Sequence, residues 1–208
     1  MSPDATSHTG ALHDTTAGCH SCDSIGAFQG GAALAARRII IAGVSSSGKT
    51  TVAQALARRL GARFLDADDF HPQANVEKMA SGVPLEDADR WPWLDRLNQA
   101  LQEAAAQDAA VVLACSVLKQ GYRRRLVDGV DGVQLVLLTG SRQLLAARAA
   151  ARTHRYMPPS LLDSQLATLE PLEPGSGWEL DVTPPVAEIV EELARRLDAS
   201  PAVTRRPA

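Results

Sequence analysis

The sequence contains few aromatic residues and no long apolar run. Aromatic residues make up 4% of its 208 positions, and no apolar run approaches the roughly 20 residues that a helix needs to cross a bilayer. The amino-terminal residues also lack the basic and apolar regions that form a secretory signal. We therefore predict neither a membrane partner nor secretion, and we expect a cytoplasmic protein.

A broad basic surface is missing as well. The formal net charge is –3, and residues 1–36 contain three aspartates but neither lysine nor arginine. The rest of the chain therefore holds all 21 basic residues and 21 of the 24 acidic ones, so its charges balance. A neutral domain lacks the electrostatic surface that nucleic-acid binding requires. We predict no nucleic-acid partner, and an anion would have to be bound by local arginines.

Only three cysteines are present. Cys19 and Cys22 have CxxC spacing, but a metal site needs four good ligands on a framework, and the surrounding residues show no periodicity. We therefore interpret residues 1–36 as a disordered extension, and a metal or redox role for the pair is the less favoured alternative. Cys115 ends an apolar run and is predicted to be a small buried side chain.

Residues 37–198 alternate between short apolar runs and amphipathic segments. Strands are predicted at residues 38–43, 62–66, 109–116, 132–140 and 178–183. Helices are predicted at residues 50–60, 91–107, 142–152 and 186–197. Gly61 is a C-terminal cap of the first, Pro92 lies near the start of the second, Ser141 is an N-terminal cap of the third, and Pro184 and Pro185 precede the last. This alternation predicts an α/β sandwich around a five-stranded parallel sheet, with ligands at the carboxyl ends of the strands. Residues 199–208 are expected to be frayed.

Residues 43–50, Gly-Val-Ser-Ser-Ser-Gly-Lys-Thr, match the phosphate-loop pattern GxxxxGK[ST] between a predicted strand and a predicted helix. Backbone N–H groups of such a loop point at phosphate oxygens. Lys49 would reach the β- and γ-phosphates of ATP, and the Thr50 hydroxyl would ligate Mg²⁺. The predicted nucleotide contacts are Gly43, Val44, Ser45, Ser46, Ser47, Gly48, Lys49, Thr50 and Thr51. The motif predicts the nucleotide but leaves the phosphate acceptor open.

Ser46 occupies a position where many such loops have glycine. If its backbone φ is positive, the side chain costs about 1–2 kcal/mol. Its N–H can face a phosphate in either case, so we predict that Ser46→Gly keeps activity.

Acidic residues follow the second predicted strand. Asp66 and Asp68 are two residues apart, so on an extended chain they would share a face. One carboxylate could help to hold Mg²⁺ through water, and the other could accept a proton from an attacking hydroxyl. The alternative is an acidic surface turn.

Residues 71–94 are rich in polar groups and suit a small hydrophilic acid. Arg90 could bind a carboxylate through two hydrogen bonds, and His71, Asn75 and Lys78 offer contacts to hydroxyl groups. The alternative for each of these residues is a solvated surface position.

Four segments together resemble the gluconate kinases (the gluconokinase family), which are P-loop kinases related in fold to shikimate kinases. The segments are GVSSSGKT, FLDADDFHPQANVEKMASGVPLEDADRWPWL, CSVLKQGYRRRL and RYMPPSLLDSQLATLEPLE, and they lie within residues 39–183. The resemblance implies a P-loop kinase domain over residues 37–198, built as a three-layer sandwich with a mobile lid at about residues 148–170. It also implies ATP- and Mg²⁺-dependent phosphorylation of D-gluconate to 6-phosphogluconate. The family tends towards homodimers, but no interface can be recognised in the sequence.

The resemblance assigns roles to acidic and acceptor-side residues. It makes Asp68 the candidate base and Asp66 a carboxylate on the metal side. The third strand ends in Cys115 and Ser116 instead of an acidic pair, so the metal depends on Thr50 and the second-strand acids. Lys119, Tyr122 and Arg123 resemble residues that contact the acceptor.

The resemblance also assigns the lid. Arg148 and Arg152 lie four residues apart on one helix face, where they would neutralise transition-state charge and flank the adenine. Residues 183–185 would form the other wall of the adenine site. The lid departs from the family because His154 and Arg155 replace the usual Gly-His pair, which leaves the role of that histidine and the hinge freedom of a glycine open.

Two alternatives to a gluconokinase stay open. The first is a P-loop kinase for another small hydroxy acid or sugar acid. The second is a nucleotide-binding regulatory protein without turnover, which is disfavoured because Lys49, Thr50, Asp66 and Asp68 are all present.

Overall fold

The structure is a computed structural model that describes residues 37–151 and 159–200, without the side chains of residues 159–161. The predictions for residues 1–36 with Cys19 and Cys22, for residues 152–158 with Arg152, His154 and Arg155, and for residues 201–208 lie outside the described residues.

Five parallel strands form the centre of the fold, in the order β2-β3-β1-β4-β5. Their bounds are β1 (Arg38–Gly43), β2 (Arg63–Asp66), β3 (Val111–Cys115), β4 (Val133–Thr139) and β5 (Trp178–Asp181). Every residue of β1 and β3 is buried, because helices cover both faces of the sheet, and such strands are continuously apolar. The predicted five-stranded parallel sheet is confirmed.

Seven helices surround the sheet in the described residues. They are α1 (Lys49–Leu60), α2 (Gln73–Ala80), α3 (Asp87–Ala106), α4 (Gln120–Val127), α5 (Arg142–Ala150), α6 (Pro159–Thr168) and α7 (Val186–Ala199). A 3₁₀ turn covers Ala67–Phe70. The predicted caps of α1 and α5 are confirmed, since Gly61 has a φ of 63° and the Ser141 hydroxyl accepts a hydrogen bond from Leu144 N–H.

Two apolar cores separate the three layers. Side chains of β1 alternate between them, because successive residues of a strand point to opposite faces. Ile39 and Ile41 pack with α1 and α7 on one face, whereas Ile40 packs with α3 and α4 on the other. The three-layer sandwich is therefore confirmed, and the predicted burial of Cys115 is confirmed with it.

The phosphate loop follows β1 at the topological switch point of the sheet. β1 lies between β3 and β4, so the chain moves to one side of β1 first and to the other side later. A crevice forms at the carboxyl ends of the strands at such a point, and ligands bind there in open α/β sheets.

Helix α3 begins earlier than the sequence indicated. The predicted start near Pro92 is wrong, because Glu86 N–H donates to the Asp89 carboxylate at 2.7 Å and caps the helix one turn further upstream. Pro92 therefore lies inside the helix, where it lacks the N–H that would bond the Ala88 carbonyl. Proline is common in the first turn of helices, which is why the sequence predicts a helix start near Pro92.

None of the helices in the described residues is long and apolar enough to cross a membrane.

Candidate active site

Two glycines allow the phosphate loop to turn sharply from β1 into α1. Gly43 has a φ of 145°, and a Cβ there would lie 2.8 Å from the Leu138 carbonyl oxygen. Gly48 has a φ of 88° and directly precedes α1. Both positions require glycine, since an L side chain would be strained at either. The loop thus directs the amino terminus of α1, with its exposed N–H groups, to the sheet edge.

Ser46 adopts the left-handed conformation that the sequence analysis considered, with a φ of 64°. Ser46 and Ser47 are buried, and their hydroxyl oxygens have no hydrogen-bond partner among the described residues. An unpaired buried polar group costs about 1–3 kcal/mol. The two hydroxyls therefore disfavour the folded state, and the backbone N–H groups of the loop are the donors that suit the oxygens of a nucleotide phosphate.

Lys49 lies back over the loop. Its Nζ donates to the Val44 carbonyl at 3.0 Å, and the Ser47 N–H donates to the same carbonyl at 3.3 Å. This contact holds the ammonium beside the loop, where an anionic ligand would meet it.

Thr50 and Asp66, the two predicted metal ligands, lie side by side. The Thr50 hydroxyl is 3.5 Å from Asp66 Oδ2, although the two residues belong to α1 and β2. A hydroxyl and a carboxylate are ligands that Mg²⁺ accepts, and Mg²⁺ usually completes its shell with water and substrate phosphates. The described residues contain no group of three histidine, cysteine or acidic side chains that could hold a metal without such help.

Asp66 and Asp68 are arranged differently from the prediction. The prediction of an extended chain between them is wrong, because Asp66 Oδ1 accepts a hydrogen bond from the Asp68 N–H at 3.2 Å and caps the 3₁₀ turn. Trp93 fixes this turn from α3 by donating its indole N–H to the Ala67 carbonyl at 2.7 Å. Asp68 is exposed at the start of the turn and accessible to a bound acceptor.

Asp87, which the sequence analysis missed, joins three of the predicted acceptor-side residues. Lys119 Nζ lies 2.9 and 2.8 Å from its two carboxylate oxygens, the Tyr122 hydroxyl donates at 2.5 Å, and Arg90 lies at 3.8 Å. Hydrogen bonds from Lys119 and Tyr122 hold the pKa of Asp87 below its ordinary value. The pairs join the first turn of α3 to the start of α4.

The other predicted acceptor-side residues contact α3. Lys78 forms an ion pair with Asp89 at 2.6 Å. His71 stacks on Trp93 with 4.5 Å between ring centroids, and its Nδ1 lies 3.3 Å from the Asn75 amide. Partial burial lowers the pKa of His71, and therefore favours the neutral imidazole.

Arg123 does not fit the predicted contact with the acceptor. Its side chain is buried, and it donates to the carbonyls of Val117 at 3.0 Å, Leu118 at 2.7 Å and Pro171 at 2.9 Å, and also to that of Glu170. Four of its five N–H donors are thereby used on backbone. The guanidinium joins two loops and is not offered to a ligand.

Arg148 lies in the last turn of α5 and donates to the Val182 carbonyl at 2.7 Å. Val182 precedes residues 183–185, the predicted wall of the adenine site. Arg148 therefore lies beside that wall, while its predicted partner Arg152 is outside the described residues.

Gln165 of α6 is a second residue that the sequence analysis missed. Its Oε1 accepts a hydrogen bond from the Ser45 N–H of the phosphate loop at 2.6 Å. The two residues are separated by 120 positions, so no local pattern indicates the contact.

Known proteins resemble this chain over most of its described length. A family model described as an AAA domain matches residues 39–172. The chain is 42% identical to a Xenopus tropicalis protein named "Probable gluconokinase", over 77% of this chain and 93% of that protein. It is 47% identical to the Gluconobacter oxydans (strain 621H) gluconokinase, over 66% of this chain and 77% of that protein.

Solved structures give the same result. A gluconokinase from Sinorhizobium meliloti 1021 superimposes with a TM-score of 0.68 at 42% identity, covering 79% of this chain and 95% of that one. A shikimate kinase from Bacteroides thetaiotaomicron has a TM-score of 0.55 at 18% identity, covering 78% of this chain and 98% of that one. At that identity the second likeness concerns the fold alone.

Proposed function

The chain belongs to the gluconokinase family, and we propose from this premise that its phosphate loop and second-strand acids phosphorylate D-gluconate with ATP. The enzyme is a gluconokinase, EC 2.7.1.12, and its product is 6-phospho-D-gluconate. The observation that carries the assignment to this site is the placement of Thr50 beside Asp66, at the edge of the sheet where the phosphate loop ends.

The phosphate loop provides the donor side of the proposed site. Residues 43–51 would surround the phosphates of ATP with backbone N–H groups. Lys49 lies within the loop and supplies positive charge to the β- and γ-phosphates. Bound Mg²⁺ would neutralise phosphate charge, and Thr50 and Asp66 are the residues that would hold it.

Asp68 acts as the base in this proposal. It accepts the proton of the attacking gluconate hydroxyl while the new O–P bond forms and the bond to the leaving ADP breaks. Its exposure at the start of the 3₁₀ turn, which Trp93 fixes, supports this role. Arg148 would neutralise charge on the nucleotide side, as would Arg152.

The acceptor is recognised by the cationic group at the starts of α3 and α4. Arg90 and Lys119 surround Asp87, and gluconate brings a second carboxylate that these cations can bind. His71 and Lys78 contact α3 through Trp93 and Asp89, and they would contact hydroxyl groups of the acceptor. Arg123 is left out of the proposed acceptor site, because its donors bind carbonyls.

A kinase domain over residues 37–198 and a homodimer are also proposals. The continuous cores on both faces of the sheet support the domain, and the family tendency supports the dimer.

A coupled assay for ADP release tests the proposed function. We expect turnover with gluconate and MgATP, and much less turnover with shikimate, adenylylsulfate or a nucleoside monophosphate. Turnover on one of these acceptors with a flat response to gluconate would contradict it. Binding of ATP without ADP release on any acceptor would instead favour a regulatory protein.

A further inference from the structure

Gln165 connects helix α6 to the phosphate loop. The Ser45 N–H can only donate, so the side-chain atom that lies 2.6 Å away is the acceptor Oε1. The loop N–H groups are the donors that hold nucleotide phosphates, and one of them therefore has a protein partner from a distant helix.

Packing places α6 firmly enough for this contact to be specific. Leu162 is 5% exposed in the core below α1 and α7, and Leu166 and Leu169 pack against the same core. Residues three to four positions apart share one face of a helix, so Gln165 projects from the side of α6 that docks on the protein.

Gln165 and Lys49 hold the two ends of one peptide group. The carbonyl of the Val44–Ser45 peptide accepts the Lys49 ammonium at 3.0 Å, and the N–H of the same peptide donates to Gln165. A peptide held at both ends cannot turn over without breaking a contact at each end. The orientation of this part of the loop, and the position of Lys49 with it, therefore depends on Gln165.

The segment after α6 contacts the acceptor side. Glu170 N–H donates to the Leu118 carbonyl at 3.0 Å, and the Glu170 carboxylate accepts the Gln120 N–H at 2.5 Å. Arg123 adds hydrogen bonds to the carbonyls of Glu170 and Pro171. Lys119 lies between Leu118 and Gln120, so one continuous segment contacts the donor loop at Gln165 and the acceptor-side loop at Glu170.

We propose that Gln165 is a positioning residue that couples acceptor binding to the phosphate loop, an inference that rests on the proposed function. Acceptor bound near Lys119 stabilises residues 117–120 and, through Glu170, helix α6. Gln165 then holds the Val44–Ser45 peptide in the orientation that presents Lys49 to the nucleotide. Because coupling is reciprocal, gluconate and nucleotide each strengthen binding of the other.

Calorimetric titration of a non-hydrolysable ATP analogue with Mg²⁺, with and without saturating gluconate, measures this coupling. In the unsubstituted protein we expect gluconate to lower the Kd of the analogue about tenfold, a typical coupling between two sites. Gln165→Ala should reduce that factor to about twofold or less. Glu170→Ala should reduce it too, while leaving analogue binding without gluconate unchanged.

Two further variants separate positioning from general damage. Gln165→Glu keeps an acceptor for the Ser45 N–H and should keep the coupling factor, although its negative charge weakens analogue binding overall. Gln99→Ala truncates an exposed glutamine of α3, so it should leave the coupling factor and both Kd values unchanged. Thermal unfolding of each variant identifies a loss that comes from misfolding.

Equal coupling factors in the unsubstituted protein and in Gln165→Ala would overturn the proposal. Tighter analogue binding by Gln165→Ala with unchanged kcat would also overturn it, because the side chain would then merely compete with phosphate. Absence of gluconate turnover by the unsubstituted protein would instead defeat the proposed function. The same calorimetric titration is then carried out with whichever acceptor the protein phosphorylates in place of gluconate.

Discussion

Replacement of Ser46 with glycine is expected to stabilise the protein and to leave its activity in place. Ser46 has a φ of 64°, and its buried hydroxyl has no hydrogen-bond partner among the described residues. Both features disfavour the folded state, and glycine removes both. The backbone N–H, which can face a phosphate, is present in both proteins.

Three contributions set the magnitude of this effect. The left-handed conformation costs a residue with a Cβ about 1–2 kcal/mol, and the unpaired hydroxyl costs about 1–3 kcal/mol. Glycine loses more backbone entropy on folding, which offsets about 0.5–1 kcal/mol. We therefore expect Ser46→Gly to raise the free energy of unfolding by about 1–4.5 kcal/mol.

Urea denaturation measures the free energy of unfolding, and steady-state kinetics measures kcat and the KM for ATP. Asp108→Gly is the matched control. Asp108 also has a positive φ, of 49°, but its side chain is an exposed carboxylate in the turn before β3 and not a buried hydroxyl. Its gain should be smaller than about 1 kcal/mol, because aspartate tolerates this conformation. The difference between the two variants reports the buried hydroxyl together with the lower tolerance of serine for this conformation.

Two results would refute this reasoning. A lower free energy of unfolding for Ser46→Gly would show that the Ser46 side chain stabilises the loop. A large loss of kcat, or a KM for ATP raised more than about threefold, would show that the hydroxyl contacts the nucleotide.

Three other substitutions test the site. Asp68→Asn should lower kcat by about 10²–10⁴, the usual contribution of a general base, and a loss of only a few-fold in steady-state kinetics would show that Asp68 is not the base. The depressed pKa of Asp87 means that its ion pairs stabilise the fold above the unfolded pKa of about 4 and are lost as the pH falls through the folded pKa. Lowering the pH should therefore reduce the free energy of unfolding of the unsubstituted protein more than that of Asp87→Asn. Equal reductions would contradict this. Arg123→Met should lower the free energy of unfolding, measured by urea denaturation, by about 3 kcal/mol or more, because carbonyls in the two loops lose their donor. A raised KM for gluconate with an unchanged free energy of unfolding would show instead that Arg123 contacts the acceptor.

Local patterns in the sequence predict the sheet and the phosphate loop well. Apolar runs fix β1 and β3 because both strands are buried on both faces, and Ser141 and Gly61 mark helix ends through hydrogen bonds within a few residues. The start of α3 was missed for the opposite reason. Pro92 gave a strong local signal, but the capping contact between Glu86 and Asp89 overrode it.

The contacts that organise the candidate site join distant positions, and composition does not show them. Lys119 and Asp87 are 32 residues apart, and Ser45 and Gln165 are 120 apart. Arg123 shows a second reason why the sequence alone does not predict the site. A sequence cannot distinguish an arginine whose donors bind backbone carbonyls from one that is offered to a ligand, because burial and loop geometry decide between the two.

The phosphate loop combines a strained backbone with a rigid support. Ser46 has a left-handed φ, and Gly43 lies so close to the Leu138 carbonyl that a Cβ would clash. A strained segment persists only where its surroundings over-determine it. Here the buried strand β1 holds the start of the loop, since Ile39, Ile40 and Ile41 are at most 1% exposed. Lys49 and Gln165 hold the Val44–Ser45 peptide within the loop. The two supports differ in kind: β1 holds the loop whatever is bound, whereas the Gln165 contact belongs to a helix whose following segment contacts the acceptor side. Relief of strain at Ser46 should therefore change stability alone, and loss of Gln165 should change how the two substrates affect each other.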